Sequence, residues 1–310
     1  MARPLRIEYP GAFYHVINRG LERREIFRDS KDREYFFFLL KHLHEKYGLW
    51  VHCYCLMSNH YHLYIETPNG QLSKIMRQLD GIYTLKFNKR RKRVGPLFQG
   101  RYKATLVDQD SYSLQLSKYI HLNPLKAKIV KQLEEYQFSS YPAYIGKAEM
   151  PVFLKTDFLL SQFHKSKRKA IKAFKEFMFE SEEQDFRPEK EAYKGIILGN
   201  SDFVSKIQED YLGNKTDPEI PSLKLVQRTK TLEGITAVIT RLKLERKLEK
   251  KLIIYALKHY TYLSLKQIAE QFNGLHYSSI SQTVKRLCVQ AEKDKAIKRL
   301  IEKVDGLCKM

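Results

Sequence analysis

The most constraining feature of this chain is the order of patterned segments in its first 150 residues. Residues Phe13 to Arg19 (FYHVINR) are rich in β-branched and aromatic types and predict a strand. Asp29 or Ser30 can cap a helix running through Tyr47. Phe36, Leu39, Leu40 and Leu43 supply its apolar stripe and Gly48 its stop. Leu49 to Met57 and His60 to Thr67 predict two strands joined by the polar turn Ser58-Asn59. Leu72, Ile75, Met76, Leu79, Ile82 and Tyr83 then recur at helical spacing. Phe98 to Val107 predicts a fourth strand, with Asp110 able to cap the helix that follows. The order β-α-β-β-α-β is the ferredoxin-like arrangement, an antiparallel sheet with helices on one face. That architecture hosts many unrelated functions, so the fold class (α+β, followed by an all-α C-terminal part) does not by itself name an activity.

Charge narrows the partner. The chain carries 56 Lys and Arg against 35 Asp and Glu, a formal charge of +21 over 310 residues. Residues 1–150 hold 25 basic and 14 acidic side chains, and residues 151–310 hold 31 and 21, so both halves are basic. This favours a polyanion, with nucleic acid first. No apolar run is long enough to span a membrane, the N-terminus lacks a secretory pattern, and four cysteines argue against a disulfide framework. The expectation is a cytoplasmic protein.

Organisation follows composition. Residues 180–191 (ESEEQDFRPEKE) carry six acidic and two basic side chains, and polar stretches recur to Pro221. We expect three parts: 1–150, a helical connector and linker over 151–230, and a helical domain over 231–310.

His60-Tyr61-His62 lies within a strand pattern, so His60, His62 and Tyr64 share one face while Tyr61, Leu63 and Ile65 share the other. Two imidazoles about 7 Å apart along a strand can converge on one cation. Chance placement on a half-exposed face is the competing reading. Cys53 and Cys55 have the same spacing in the preceding strand, but structural zinc sites use C-x₂₋₄-C on turns, so these read as small apolar residues.

Three blocks, LMSNHYHLYIE, GPLFQGRYKATLV and YIHLNPLKAKIV, resemble the signature blocks of single-tyrosine HUH transposases, most closely the REP-associated tyrosine transposase branch. The resemblance covers roughly residues 5–145, with Ser58 standing where that family commonly has proline. It implies that His60 and His62 bind Mg²⁺ or Mn²⁺, and that Tyr119, four residues before Asn-Pro, is the nucleophile. It also implies a covalent 5′-phosphotyrosine intermediate on single-stranded DNA hairpins, such as REP-like palindromes. A phenol with a pKa near 10 attacks phosphorus poorly unaided, which explains the need for a metal. Leu116, Tyr119 and Ile120 can instead be core positions of one helical face. Asn123 shares a helical face with Tyr119, and the resemblance implies a third metal ligand there, because similar enzymes place a polar ligand at this offset. Asn123 can equally cap a new helix opened by Pro124 and running through Leu125, Ile129 and Val130.

Residues 86–103 (KFNKRRKRVGPLFQGRYK) contain eight basic side chains and no acidic one, with Phe87, Phe98 and Tyr102 interleaved. Arg90, Arg91, Lys92, Arg93, Arg101 and Lys103 are candidate contacts to a DNA backbone. Residues 263–287 read as a helix-turn-helix. Ser264 is its cap, Ile268, Ala269 and Phe272 its inner face, and Tyr277, Ser278, Ser279, Gln282, Lys285 and Arg286 its outward positions. An ordinary helical hairpin is the alternative. About residues 231–304 resemble the duplex-binding domain of the replication initiator DnaA. Ser278 and Ser279 match its paired threonines, while Leu275, His276 and Tyr277 replace its Arg-Asp-His readers. The expected partners are single-stranded hairpins, duplex DNA through the C-terminal part and no membrane, with the chain a monomer or homodimer. A DNA-binding regulator that keeps the fold without the chemistry is the second reading, and an RNA-binding ferredoxin-like domain a third.

Overall fold

The computed structural model describes residues 6–180, 186–212, 232–261, 263, 265–272 and 276–309. The chain divides into two compact units, Arg6–Asn200 and the part beginning at Ser201.

In the first unit β1 (Ala12–Arg19) is followed by α1 (Ser30–Tyr47), β2 (Trp50–Leu56), β3 (His60–Thr67), α2 (Leu72–Arg91) and β4 (Lys103–Val107). The strands pair in the order β2-β3-β1-β4, all antiparallel, which is the ferredoxin-like topology. Asp29 caps α1 by accepting from the Asp32 amide, and Gly48 ends it in the left-handed region at φ 71°. The β2–β3 turn is tethered, because the Ser58 carbonyl accepts from the amides of both Ile26 and Phe27.

α1 and α2 cover one face of the sheet. Phe36 packs 5.1 Å from Tyr61, and Phe37 lies 5.1 Å from Tyr54. A further helix, α3 (Gln109–Lys126), covers the opposite face, where the Tyr64 and Ser113 hydroxyls are 2.6 Å apart. The sheet also gains a fifth strand, β5 (Ile197–Leu198), parallel to β4. The Leu106 amide bonds to the Ile196 carbonyl at 2.8 Å and the Asp108 amide to the Leu198 carbonyl at 2.7 Å. An edge that would otherwise present unpaired backbone groups is thereby covered.

Four local expectations are corrected. β4 begins at Lys103 rather than Phe98, because Phe98 makes a single bridge to Gly20 before Gln99 and Gly100 break the ladder. Ile82, expected on the apolar stripe of α2, is exposed, and Phe87 extends the buried stripe instead, toward the helix end at Arg91. Asp108, not Asp110, caps α3, accepting from the Asp110 amide. No new helix opens at Pro124. α3 continues through it to Lys126, and residues 127–130 are turn and bend.

Residues 133–180 wrap the outer edge of β2. The Val51 amide bonds to the Phe153 carbonyl, the Lys155 amide to the Val51 carbonyl, and the Tyr144 hydroxyl donates to the His52 carbonyl at 2.6 Å. α4 (Tyr141–Tyr144), α5 (Asp157–Leu160), α6 (Lys167–Phe179) and α7 (Pro188–Glu191) belong to this unit. Residues 151–200, connector-like in composition, thus lie within the first unit.

The second unit begins with α8 (Ser201–Ile207). Beyond it lie α9 (Leu232–Thr240), α10 (Arg246–Tyr260), α11 (Leu265–Glu270), α12 (Tyr277–Lys293) and α13 (Lys295–Lys309). Their core joins Ile235, Ile239, Leu252, Ile268, Ile280, Val284, Leu287 and Val304. Asp305 of α13 accepts from the hydroxyls of Tyr255 and Tyr260 at 3.2 and 2.7 Å. No helix among the described residues is long and apolar enough to cross a membrane. All four cysteines are free, and Cys53 and Cys55 are buried.

Candidate active site on the α3 face of the sheet

Strand alternation sends Tyr61 and His62 to opposite faces, and the two destinations differ chemically. Tyr61 turns toward α2, donating to Asp80 at 2.7 Å, and Asn18 donates to the other Asp80 oxygen at 2.8 Å. Burial raises the Asp80 carboxyl to about 6. His60, His62 and Tyr64 turn toward α3.

There the rings of His60 and His62 are 5.0 Å apart and nearly perpendicular. Tyr119 of α3 stands edge-on to His62, centroids 5.6 Å apart at 83°, and to His15 of β1, 6.0 Å at 81°. Tyr119 is half-buried, and Phe186 lies 6.3 Å from its ring. The structure therefore brings the two histidines and the tyrosine together. His15 is a residue that sequence reasoning missed: its Nε2 lies 3.1 Å from His62 Nδ1, and both rings are buried. Only the strand register, which opposes His15 to Tyr64 and Ile17 to His62, reveals it. The alternation His15, Ile17, Arg19 in the first strand pattern is the one signal the sequence offered.

Each proposed ligand is oriented through its Nδ1. His60 Nδ1 meets Asn59 Oδ1 at 2.6 Å, and the Asn59 amide group donates to the Arg23 carbonyl. His62 Nδ1 meets His15. With Nδ1 used in this way, Nε2 of both rings remains available, the arrangement in which a partner fixes the tautomer of a metal-binding imidazole. Burial, together with the nearby Arg19 charge, lowers His60 to about 4. Burial, helped by His15 and His60, lowers His62, and burial lowers His15 to about 3. All three are therefore neutral near pH 7, the state that offers a lone pair.

Asn123 is half-buried on α3, where its amide nitrogen donates to the Tyr119 carbonyl at 2.8 Å and the Ile120 carbonyl at 3.4 Å. Pro124 has no N–H to give the Ile120 carbonyl, so the Asn123 side chain serves the oxygen that the proline leaves open. This local role replaces the expected helix cap and leaves Asn123 Oδ1 for another partner. Among the described residues no group of three or more His, Cys, Asp or Glu side chains forms a metal site. Two neutral imidazoles with open Nε2 atoms are a donor pair of the kind that divalent ions use, and other donors would have to complete the set.

The basic run at the end of α2 has compensation that its sequence hid. Arg90 reaches Asp29 at 2.7 Å and Asp32 at 2.5 Å, and Arg91 reaches the same two carboxylates at 2.7 and 2.8 Å. These contacts hold the Asp29 carboxyl well below the usual range. Lys92 is exposed, and Arg93 lies 5.9 Å from the centre of the Phe87 ring. Arg101 and Lys103 are exposed near β4.

In the second unit Ile268 and Ala269 are buried and Phe272 packs against the same core. Along α12, Ser278 and Ser279 are half-buried, the Ser278 hydroxyl lying 2.7 Å from His276 Nδ1, while Gln282, Lys285 and Arg286 are exposed. The cap Ser264, the turn 273–275 and the Tyr277 side chain lie outside the described residues.

No curated protein matches the chain. Among solved structures, one of a REP-associated tyrosine transposase bound to a REP hairpin aligns at 16% identity with a TM-score of 0.41, covering 51% of this chain and 93% of that one. Residues 9–123 match the family model described as Transposase IS200 like, a span running from before β1 to Asn123. Over this segment, rather more than a third of the chain, the sequence is similar to the IS200-like transposase family.

Proposed function

We propose that the first unit cleaves and rejoins single-stranded DNA at hairpin repeats, with Tyr119 as nucleophile and His60 and His62 as ligands of a divalent ion, Mg²⁺ or Mn²⁺. The observation that carries this reading is Tyr119 standing edge-on to His62 beside two imidazoles whose Nε2 atoms are open. The family match over residues 9–123 supports it.

The chemistry follows from the residues. The Tyr119 phenol oxygen attacks the scissile phosphorus in line and displaces the 3′-oxygen, giving a 5′-phosphotyrosine and a free 3′-hydroxyl. The phenol proton passes to solvent and the leaving oxygen takes one up. An ion bound at His60 and His62 supplies Lewis-acid polarisation of the phosphate oxygens. His15 and Asn59 keep the two imidazoles oriented, and Asn123 Oδ1 is a further oxygen donor. Because the phosphodiester is exchanged rather than hydrolysed, rejoining needs no nucleotide cofactor.

The second unit adds duplex binding in this reading, with α11 and α12 as a helix-turn-helix presenting Ser278, Ser279, Lys285 and Arg286. Replacing Lys285 and Arg286 with alanine is expected to weaken duplex binding and to leave single-strand cleavage intact.

The test is incubation of the full chain with labelled single-stranded hairpins and Mn²⁺. A covalent adduct on a denaturing gel that vanishes with EDTA is the expected result. Specific DNA binding with no adduct under any hairpin and metal condition favours the regulator reading.

A further inference from the structure

Arg19 was not among the basic residues that the sequence pointed to. It ends β1 in register with His60, while Ile17 is the register partner of both His62 and Lys103. Directly opposed residues in antiparallel strands project from the same face, about 5 Å apart at Cβ. Arg19, His60, His62 and Lys103 therefore project from the face that α3 and Tyr119 cover at its other end. Both cations are exposed, and among the described residues neither forms an ion pair with a carboxylate. The strand end that carries Arg19 is fixed. The Gly20 amide donates to the Asn59 carbonyl at 2.8 Å, and the Gln99 amide to the Arg19 carbonyl at 2.8 Å. A Cβ on Gly20 would fall 2.0 Å from the Arg24 carbonyl oxygen, so the bend immediately after Arg19 admits only glycine.

We propose that Arg19, with Lys103 across the central strand, is a clamp for the backbone phosphates of single-stranded DNA entering the His60–His62–Tyr119 site. The inference rests on the function proposed above and adds the residue that positions its substrate. Two cations fixed on adjacent strands beside two neutral imidazoles offer charge where a phosphodiester must lie. The guanidinium supplies the planar fork that suits phosphate oxygens, and the lysine a compact second charge. Charges already neutralised by carboxylates, as at Arg90 and Arg91, gain less from a phosphate because they must first give up a partner.

The experiment uses the full chain carrying Tyr119→Phe, in EDTA, so that neither cleavage nor metal enters the readout. Binding of fluorescein-labelled dT20 is followed by anisotropy across a salt series. Adding Arg19→Ala and Lys103→Ala is expected to raise Kd roughly tenfold or more at low salt. It is also expected to flatten the slope of log K against log salt by about 1.4, or 0.7 for each lost phosphate contact. Arg19→Lys should retain most of the slope, and Arg90→Ala with Arg91→Ala should change it little. Failure of the parent protein to bind dT20, an unchanged slope in the Arg19/Lys103 variant, or an equal loss in the Arg90/Arg91 variant would overturn the clamp. The result is independent of adduct formation. A parent that binds with the expected slope while the wild type forms no adduct removes the chemistry and leaves the clamp, whereas cleavage with an unchanged Arg19/Lys103 slope does the reverse.

Discussion

The α1–α2 side of the sheet and the end of the α3 face around His60 and His62 carry similar residue types and treat them in opposite ways. On the α1–α2 face polar groups close on one another. Tyr61 and Asn18 both donate to Asp80, and Arg90 and Arg91 are shared between Asp29 and Asp32. At that end of the α3 face His60 and His62 are oriented by Asn59 and His15 through one nitrogen each, leaving the other open, while Arg19 and Lys103 form no ion pair among the described residues. A closed network specifies packing, whereas an open one on a rigid strand is prepared for something the protein does not supply itself. The contrast separates structure from site more sharply than residue type does, since both faces hold tyrosines and arginines.

The strongest way to break this comparison is to disturb the open face. His62→Ala should abolish Mn²⁺ binding to the full chain in an electron paramagnetic resonance titration. His15→Ala should weaken it by about 10- to 100-fold, the usual cost of removing the group that orients a metal-binding imidazole. His15→Gln, whose amide oxygen can accept from His62 Nδ1, should recover part of that loss. Unchanged affinity in His15→Ala would mean that the buried pair is packing alone.

On the closed face the expected effects fall on stability. Removing both Arg90 and Arg91 leaves the buried Asp32 carboxylate without its cations. The variant should melt several degrees lower in calorimetry while keeping the salt slope of DNA binding. A large loss of DNA affinity with an unchanged melting temperature would reverse the two assignments.

The smallest effect is a pH slope. Asp80 has a folded value near 6, above the ordinary aspartate value of about 3.9. Between those values the folded state holds more proton than the unfolded state, so this group's contribution to stability falls as pH rises from about 4 to 6. Asp80→Asn should remove that component, making the melting temperature less dependent on pH over this window. Identical pH profiles in the two proteins would show that Asp80 does not titrate there.

Periodicity made a good part of the fold legible. β3 spans His60–Thr67 as its alternation implied, and Asp29 and Gly48 bound α1 through cap chemistry that is local in sequence. Local pattern misled where a distant partner decided the outcome. The run at residues 86–103 contains no carboxylate, yet its arginines meet two from the start of α1, about 60 positions earlier. β5 is two residues long, too short for any alternation to register, and exists because it covers the edge of β4. Asn123 and Pro124 carried opposite readings in sequence, and α3 runs on through Pro124 with the Asn123 amide bonded to the Tyr119 carbonyl and, more weakly, to the Ile120 carbonyl that Pro124 leaves without an N–H. Within the site, His60 and His62 were legible from their spacing and Tyr119 only through the resemblance. His15 and Arg19 depend on cross-strand register, which one strand's sequence does not contain.

Whether Tyr119 becomes covalently joined to DNA is decided by locating the bond. The adduct formed with a hairpin and Mn²⁺ is digested with nuclease and protease and sequenced by tandem mass spectrometry. The account predicts a nucleotide linked through its 5′-phosphate to Tyr119, with none on the other tyrosines and no adduct in Tyr119→Phe. A nucleotide on any other residue, or an adduct that persists in Tyr119→Phe, would contradict it.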